Sequence, residues 1–159
     1  MGTTGVVVLI TGTQATSDKV IALRADIDAL PIQEISDKAY QSTVNGVMHA
    51  CGHDVHTASL LTTIKILNEC KNDFAGSIKF IFQPAEEKLP GGASILIKEG
   101  VLENPKPLRI IGQHVMPLIE SGKVGFRKGK YMASTDELFF TVKGKLPSNI
   151  FPVPVAAEI

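Results

Sequence analysis

The hydrophobic and polar positions of the chain follow two periods in turn. Residues 5–12 and 20–26 are rich in Val, Ile and Leu and predict two β-strands, and the polar segment between them could be a hairpin connection. From Asp54 the apolar residues recur at helical spacing, and Asp54 is a suitable N-cap for the predicted helix. The stripe that this helix would bury consists of Leu60, Leu61, Ile64 and Leu67.

Strand-like and helical patterns continue to alternate after this helix. Residues 76–83 predict a strand, and residues 91–100 predict a helix that Gly100 closes. Further strands are predicted at 107–115, 122–129 and 136–144. The prolines of the last stretch indicate that it does not continue the sheet.

This order of elements predicts an α/β fold. Because helical crossovers favour parallel pairing, the expected architecture is a mixed sheet with a parallel βαβαβ centre and flanking helices. In such sheets, ligands bind just beyond the carboxyl ends of the strands.

Composition and charge narrow the function classes. The chain of 159 residues has the length of one domain, and its 16 basic residues balance its 16 acidic ones. Nothing in this balance favours nucleic acid or an anionic membrane, so the expected partner is a small molecule or another copy of the chain. The apolar runs are too short for a membrane helix, the start lacks a secretory signal, and two cysteines favour a reduced, cytoplasmic setting.

The densest chemistry lies in "HACGHDVH" at 49–56, which contains three of the four histidines. Cys51 and His53 flank a glycine, which allows a turn sharp enough for both side chains to reach one point. A thiolate and an imidazole suit zinc, with manganese, iron or cobalt possible if carboxylates complete the site. The alternative is a polar loop with buried imidazoles.

Three other segments, one before residues 49–56 and two after them, could supply further side chains for a metal site at strand ends. Glu86 and Glu87 are either a solvated surface pair or a metal ligand beside a base that deprotonates water. His114 is by itself more typical of a satisfied core histidine, but it also follows an apolar strand. Asp26 and Asp28 could support a metal-bound histidine, or stabilise a turn.

Taken together, four linked motifs resemble the amidohydrolase branch of the M20 peptidase family, which contains N-acyl-amino-acid, hippurate and auxin-conjugate hydrolases. The similar stretch runs from about Gly5 to Gly144. The motifs are "ALRADIDALPI", "GVMHACGHDVHTASLL", "FIFQPAEEKLPGGASILIKEGVLE" and "IIGQHVMP".

The resemblance implies a site with two divalent ions, zinc or manganese with cobalt or nickel possible, that hydrolyses the amide bond of N-acyl amino acids. It implies metal ligation by Cys51, His53, Glu87 and His114. Glu86 resembles the general base that takes a proton from water and passes it to the leaving nitrogen, and Asp28 resembles the supporting aspartate. His49 and His56 are expected to have structural or supporting roles.

The sequence also departs from the family pattern. Family members are more than twice as long, and they have a late histidine ligand and a lid histidine that this sequence lacks. We therefore expect residues 1–144 to be part of a metallohydrolase catalytic domain, and 145–159 to be a remnant of the lid and dimerisation domain through which full-length relatives form homodimers. The alternatives are a catalytically incompetent metal-binding fragment, one part of a split assembly or, least favoured, a structural zinc site.

Overall fold

The computed structural model describes residues 4–132, in which two helices lie against a four-stranded sheet. The strands are β1 (Val6–Thr11), β2 (Val20–Asp26), β3 (Ser77–Gln83) and β4 (Arg109–Gly112). The helices are α1 (His53–Glu69) and α2 (Gly92–Lys98), with a short 3-10 turn at Lys71–Asp73.

The sheet has the order β1-β3-β2-β4. Strand β2 pairs in parallel with both β3 and β4, whereas β1 pairs antiparallel with β3. The helices α1 and α2 connect the parallel strands in sequence. This arrangement confirms the predicted mixed sheet with a parallel βαβαβ centre.

Strand β3 forms the middle of the core. Phe80 is fully buried, and with Ile78 and Phe82 it joins a cluster that includes Leu60 of α1. The alternate residue Ile81 packs in a second cluster with Leu96 of α2 and its neighbours. Because successive strand residues point to opposite faces, one apolar strand serves both layers and fixes the two helices.

The predicted hairpin between β1 and β2 is wrong, because β3 lies between these strands. The connecting segment instead crosses the start of β3. Gly12 N–H donates to the Gly76 carbonyl at 2.8 Å, and Ser77 N–H donates to the Lys19 carbonyl at 2.9 Å. The segment is therefore bound at both of its ends to the residues that enter β3.

Two details of the α1 prediction are also wrong. The helix begins at His53 rather than after Asp54, and its N-cap is Gly52 in a left-handed conformation, without a side-chain cap. Leu60 is buried, but Leu61 is 53% exposed. The buried stripe is thus narrower than the apolar positions indicated, and histidines occupy the rest of it.

The later strand predictions are only partly confirmed. The strand expected over 107–115 is limited to β4, and residues 122–129 form no strand. The strand predicted at 136–144, and the proposed domain boundary at 144/145, lie outside the described residues.

The chain divides into two compact units at Leu118/Ile119, and residues 119–132 contain neither helix nor strand. Within residues 4–132, no helix is long and apolar enough to cross a membrane.

A buried lysine ties β3 to the segment after α2. Lys79 is only 4% exposed, and its Nζ donates to the carbonyl oxygens of Val101 and Glu103, both at 2.8 Å. Burial lowers the pKa of Lys79, against the opposing charge of Glu103. The ammonium group therefore replaces part of its lost hydration with hydrogen bonds to two carbonyl groups.

We expect Lys79→Met to lower the free energy of unfolding by about 2 kcal/mol, because it removes two hydrogen bonds of a charged group, one buried and one partly buried. Urea unfolding at neutral pH measures this change. Lys65→Met is the matched control on the exposed side of α1, with an expected change within about 0.5 kcal/mol. Equal effects of the two substitutions would contradict the bonding role of Lys79.

Candidate metal centre

Four segments of the chain meet at the carboxyl-terminal edge of the parallel strands. Three of them directly follow β2, β3 and β4, and the fourth is the start of α1. Because the strands are parallel, their ends lie at one edge of the sheet. The predicted site residues on these segments are Asp28, Cys51, His53, Glu86, Glu87 and His114.

These side chains approach one another closely. Cys51, His53 and His114 can each place a ligand atom within 4.8 Å of the other two, and the same holds for His53, Glu86 and Glu87. His53 belongs to both groups and is 1% exposed. The buried imidazole of His53 is therefore the centre of the cluster.

Gly52 produces the turn that brings Cys51 and His53 together. Its φ of 82° lies in the left-handed region, where side chains other than glycine are strained. A Cβ at this position would also overlap the side chain of Val115. The sharp glycine turn predicted between Cys51 and His53 is present, and the close approach of Val115 is an additional reason for glycine.

The hydrogen bonds of His53 leave one nitrogen available for a ligand. Its Nδ1 lies 3.0 Å from the Asp28 carbonyl oxygen, and since a carbonyl only accepts, Nδ1 carries the proton. Nε2 is buried, and it has no hydrogen-bond partner among the described residues. A carbonyl that fixes the tautomer in this way is typical of metal-binding histidines.

Three carboxylate oxygens surround this nitrogen at distances too long for hydrogen bonds. His53 Nε2 lies 3.7 Å from Asp26 Oδ2, 3.8 Å from Glu87 Oε1 and 3.9 Å from Glu86 Oε2. Since zinc lies about 2 Å from each nitrogen or oxygen ligand, two donors on one ion stand about 3–4 Å apart. The spacing and the negative charge both suit a cation.

His114 is oriented in the same way as His53. Its Nδ1 donates to the Val115 carbonyl at 2.6 Å, and its Nε2 lies 3.5 Å from Cys51 Sγ. This separation is also close to that of a sulfur and a nitrogen bound to one zinc ion. Both histidines therefore direct an unprotonated Nε2 toward the other donors.

The surroundings of Cys51 oppose a free thiolate. Burial raises the pKa of the Cys51 thiol, and a hydrogen bond with Glu87 and the negative charges of Glu87, Glu86 and Asp26 raise it further. A divalent cation among these groups would reverse the effect, because a bound thiol is deprotonated. The donor set thus fits a metal ion better than it fits a reactive cysteine.

The turn before the two glutamates is tightly held. Ala85 has a φ of 50°, and its carbonyl accepts a hydrogen bond of 2.7 Å from Gly92 N–H at the start of α2. A Cβ at Gly92 would overlap the Pro84 carbonyl. Glu87 N–H donates to Asp28 Oδ2 at 3.0 Å. Asp28 therefore contacts both His53 and the Glu87 backbone.

The remaining histidines lie outside the donor group. His49 is exposed, and it is in none of the clusters. His56 is buried, but its Nδ1 bonds to Asp26 Oδ1 at 2.6 Å and its Nε2 accepts from Val115 N–H at 2.9 Å. Although Asp26, His53 and His56 are close enough to form a third metal-binding group, His56 has no nitrogen left for a metal.

Two residues beside this cluster were missed by the sequence reasoning. Arg24 donates through Nη1 to Asp26 Oδ2 at 2.8 Å and through Nε to Gln83 Oε1 at 2.9 Å. The only available signal was the spacing of Arg24 and Asp26, which lie two apart in a strand and so share a side. The cross-strand neighbour Gln83 could not be inferred without the pairing of β2 and β3.

Comparison with known proteins agrees with this geometry. Residues 22–158 match the model of peptidase family M20/M25/M40. The chain is 43% identical over 162 residues to an N-acetylcysteine deacetylase of Bacillus subtilis (strain 168), a match that covers 98% of this chain and 41% of the relative. It is 44% identical over 145 residues to a hippurate hydrolase of Campylobacter jejuni, with 91% and 37% covered.

A solved structure of a Bacillus subtilis protein also matches this chain. It is described as a dinuclear metal binding peptidase from the M20 family, and it matches with a TM-score of 0.67 and 47% identity over 72% of this chain and 31% of that one. The chain thus spans less than half the length of these relatives. Its fold, its cluster of donors and these matches together establish that the chain belongs to peptidase family M20/M25/M40.

Proposed function

We propose that this chain is part of a metal-dependent amidohydrolase that cleaves N-acyl amino acids into a carboxylic acid and an amino acid. The observation that carries the proposal is the buried Nε2 of His53, which has no hydrogen-bond partner within residues 4–132 and faces a thiol, a second imidazole and carboxylates. The relatives named as a deacetylase of N-acetylcysteine and a hydrolase of hippurate act on amides of this kind.

In this proposal, Cys51, His53, Glu87 and His114 hold a divalent metal, zinc or manganese with cobalt or nickel as further candidates. Two ions are proposed because the solved relative is described as dinuclear. When bound, the metal supplies positive charge for the attacking oxygen and for the oxyanion that develops on the amide.

Glu86 and Glu87 have different surroundings that suit different roles. The backbone of Glu87 is held by Asp28, and its side chain is 30% exposed. The Glu86 side chain is 43% exposed. We assign Glu87 to metal binding and Glu86 to general base catalysis, in which it takes a proton from water and delivers it to the leaving nitrogen. Asp28 supports the proposed ligands His53 and Glu87, because its carbonyl accepts from His53 Nδ1 and its Oδ2 accepts from the Glu87 N–H.

The wider expectations belong to the same proposal. The partner is a small N-acyl amino acid, and the setting is cytoplasmic. The whole protein forms a homodimer through a lid domain that follows a catalytic part ending at residue 144. The alternative remains a metal-binding fragment, or one part of a split assembly, that does not hydrolyse the substrate by itself.

The metal assignment predicts stoichiometric binding of Zn²⁺ or Mn²⁺, measured by elemental analysis after dialysis and by calorimetric titration. Cys51→Ala and His114→Ala should each weaken binding at least about 100-fold, because removing a ligand costs no less than removing its supporting partner. His49→Ala is the control, since His49 is exposed and outside the cluster, and it should bind like the wild type. A wild-type chain that binds no divalent metal would contradict the proposed function.

The role of Glu86 predicts that Glu86→Gln lowers kcat by about 10²- to 10⁴-fold with metal content unchanged, because the side-chain amide of glutamine cannot take the proton from water. The assay is hydrolysis of N-acetyl and N-benzoyl amino acids by the chain, and by a longer chain that continues it to the length of its relatives. The control is Glu69→Gln at the exposed end of α1. Wild-type turnover by Glu86→Gln refutes the assignment, and activity in the longer chain alone supports the fragment alternative.

A further inference from the structure

His56 is a buried histidine whose two nitrogens both have partners. The residue is 1% exposed, its Nδ1 lies 2.6 Å from Asp26 Oδ1, and its Nε2 lies 2.9 Å from the Val115 nitrogen. A backbone N–H can only donate, so Nε2 is the acceptor and Nδ1 carries the proton that Asp26 accepts. One neutral tautomer therefore satisfies both contacts.

The hydrogen bond from Val115 places His56 next to the proposed ligand His114. The Val115 N–H is held by His56 Nε2, and the Val115 carbonyl is held by His114 Nδ1. The rings of His56 and His114 also meet edge to face, with centroids 4.7 Å apart. The residue after His114 is thus fixed at both of its backbone polar groups, although His114 itself is exposed.

Asp26 is held in turn from the sheet. The residue is 1% exposed, and its Oδ2, which His56 does not use, accepts a hydrogen bond from Arg24 Nη1 at 2.8 Å. Burial acts to raise the pKa of Asp26, but the hydrogen bond from His56 and the positive charge of Arg24 give a net lowering. Arg24 is anchored to Gln83 on the neighbouring strand. A continuous path of hydrogen bonds therefore runs from β3 through β2 and α1 to the segment after β4.

We propose that Asp26 and His56 form a positioning pair that fixes His114 in its ligand orientation before any metal binds. This inference rests on the proposed metal site, and it assigns to the pair a role in metal affinity, not in ligation. The pair acts through Val115, so its loss leaves all four proposed ligands in place but lets the His114 ring and its segment move. Loss of a partner of this kind lowers metal affinity by about 10- to 100-fold.

The test compares Zn²⁺ affinity, measured by competition with a chromophoric chelator, in three variants. His56→Leu removes both hydrogen bonds and should weaken binding about 10- to 100-fold. His56→Gln retains a donor and an acceptor and should recover part of the loss. Ile64→Ala is the matched control, because it removes packing from the same helix two turns away, and it should stay within about twofold of wild type. Wild-type affinity in His56→Leu, or an equal loss in Ile64→Ala, overturns the inference.

A second readout uses the metal-free protein. Imidazole ¹⁵N spectra should show His114 as the Nδ1–H tautomer in the wild type and as a mixture of tautomers in His56→Leu; an unchanged His114 tautomer overturns the inference. This measurement separates the two proposals, since a wild-type chain that binds no metal refutes only the metal site. If His56→Leu does not fold by circular dichroism, Asp26→Asn gives the test, with a smaller change in the same direction expected and wild-type behaviour overturning the inference.

Discussion

The parallel alignment of β2, β3 and β4 is the constraint on which the candidate site depends. Antiparallel neighbours would send alternate strand ends to opposite edges, whereas these three strands bring their following segments to one edge. Strand β3 is buried on both faces, and a shift by one residue would move Phe80 and Ile81 to opposite faces, away from the side chains that each packs against. The packing of the core therefore also sets the positions of Glu86 and Glu87.

A second constraint is electrostatic. Asp26, Glu86 and Glu87 all approach His53 Nε2 within 4 Å, and the positive charge of Arg24, which is bonded to Asp26, offsets the charge of Asp26. Without a cation, the two glutamate carboxylates repel each other, and burial, together with their negative charges, raises the pKa of the Cys51 thiol. A cluster of this kind is more favourable with a bound divalent ion than without one, because the ion replaces repulsion with coordination.

Much of the fold was predictable because apolar runs and helical spacing determine local structure. Strands β1 to β3 and both helices lie where the pattern placed them. The hairpin prediction failed because β1 and β2 are adjacent in the sequence but not in the sheet, where β3 lies between them. The place of β3 depends on the contacts of Gly12 and Lys19 with the residues that enter this strand, and these contacts leave no local signal in the sequence. Leu61 is exposed although its spacing predicts burial. The pattern of apolar residues alone does not show which side of α1 faces the sheet, because the histidines His53 and His56 occupy part of that side.

The candidate site was predictable at the level of which segments meet, but not at the level of which atoms are free. His53 and His56 lie three apart on the same helix, and both are 1% exposed. They differ only in partners: His56 meets a carboxylate and a backbone N–H, which use both of its nitrogens, whereas His53 meets a carbonyl at Nδ1 and carboxylates beyond hydrogen-bond reach at Nε2. Spacing cannot distinguish these cases, because the partners come from β2, β3 and the segment after β4. The chemical difference between an imidazole with one nitrogen left without a hydrogen bond and an imidazole with both nitrogens bonded is therefore created by the sheet, through the groups that it places opposite each ring.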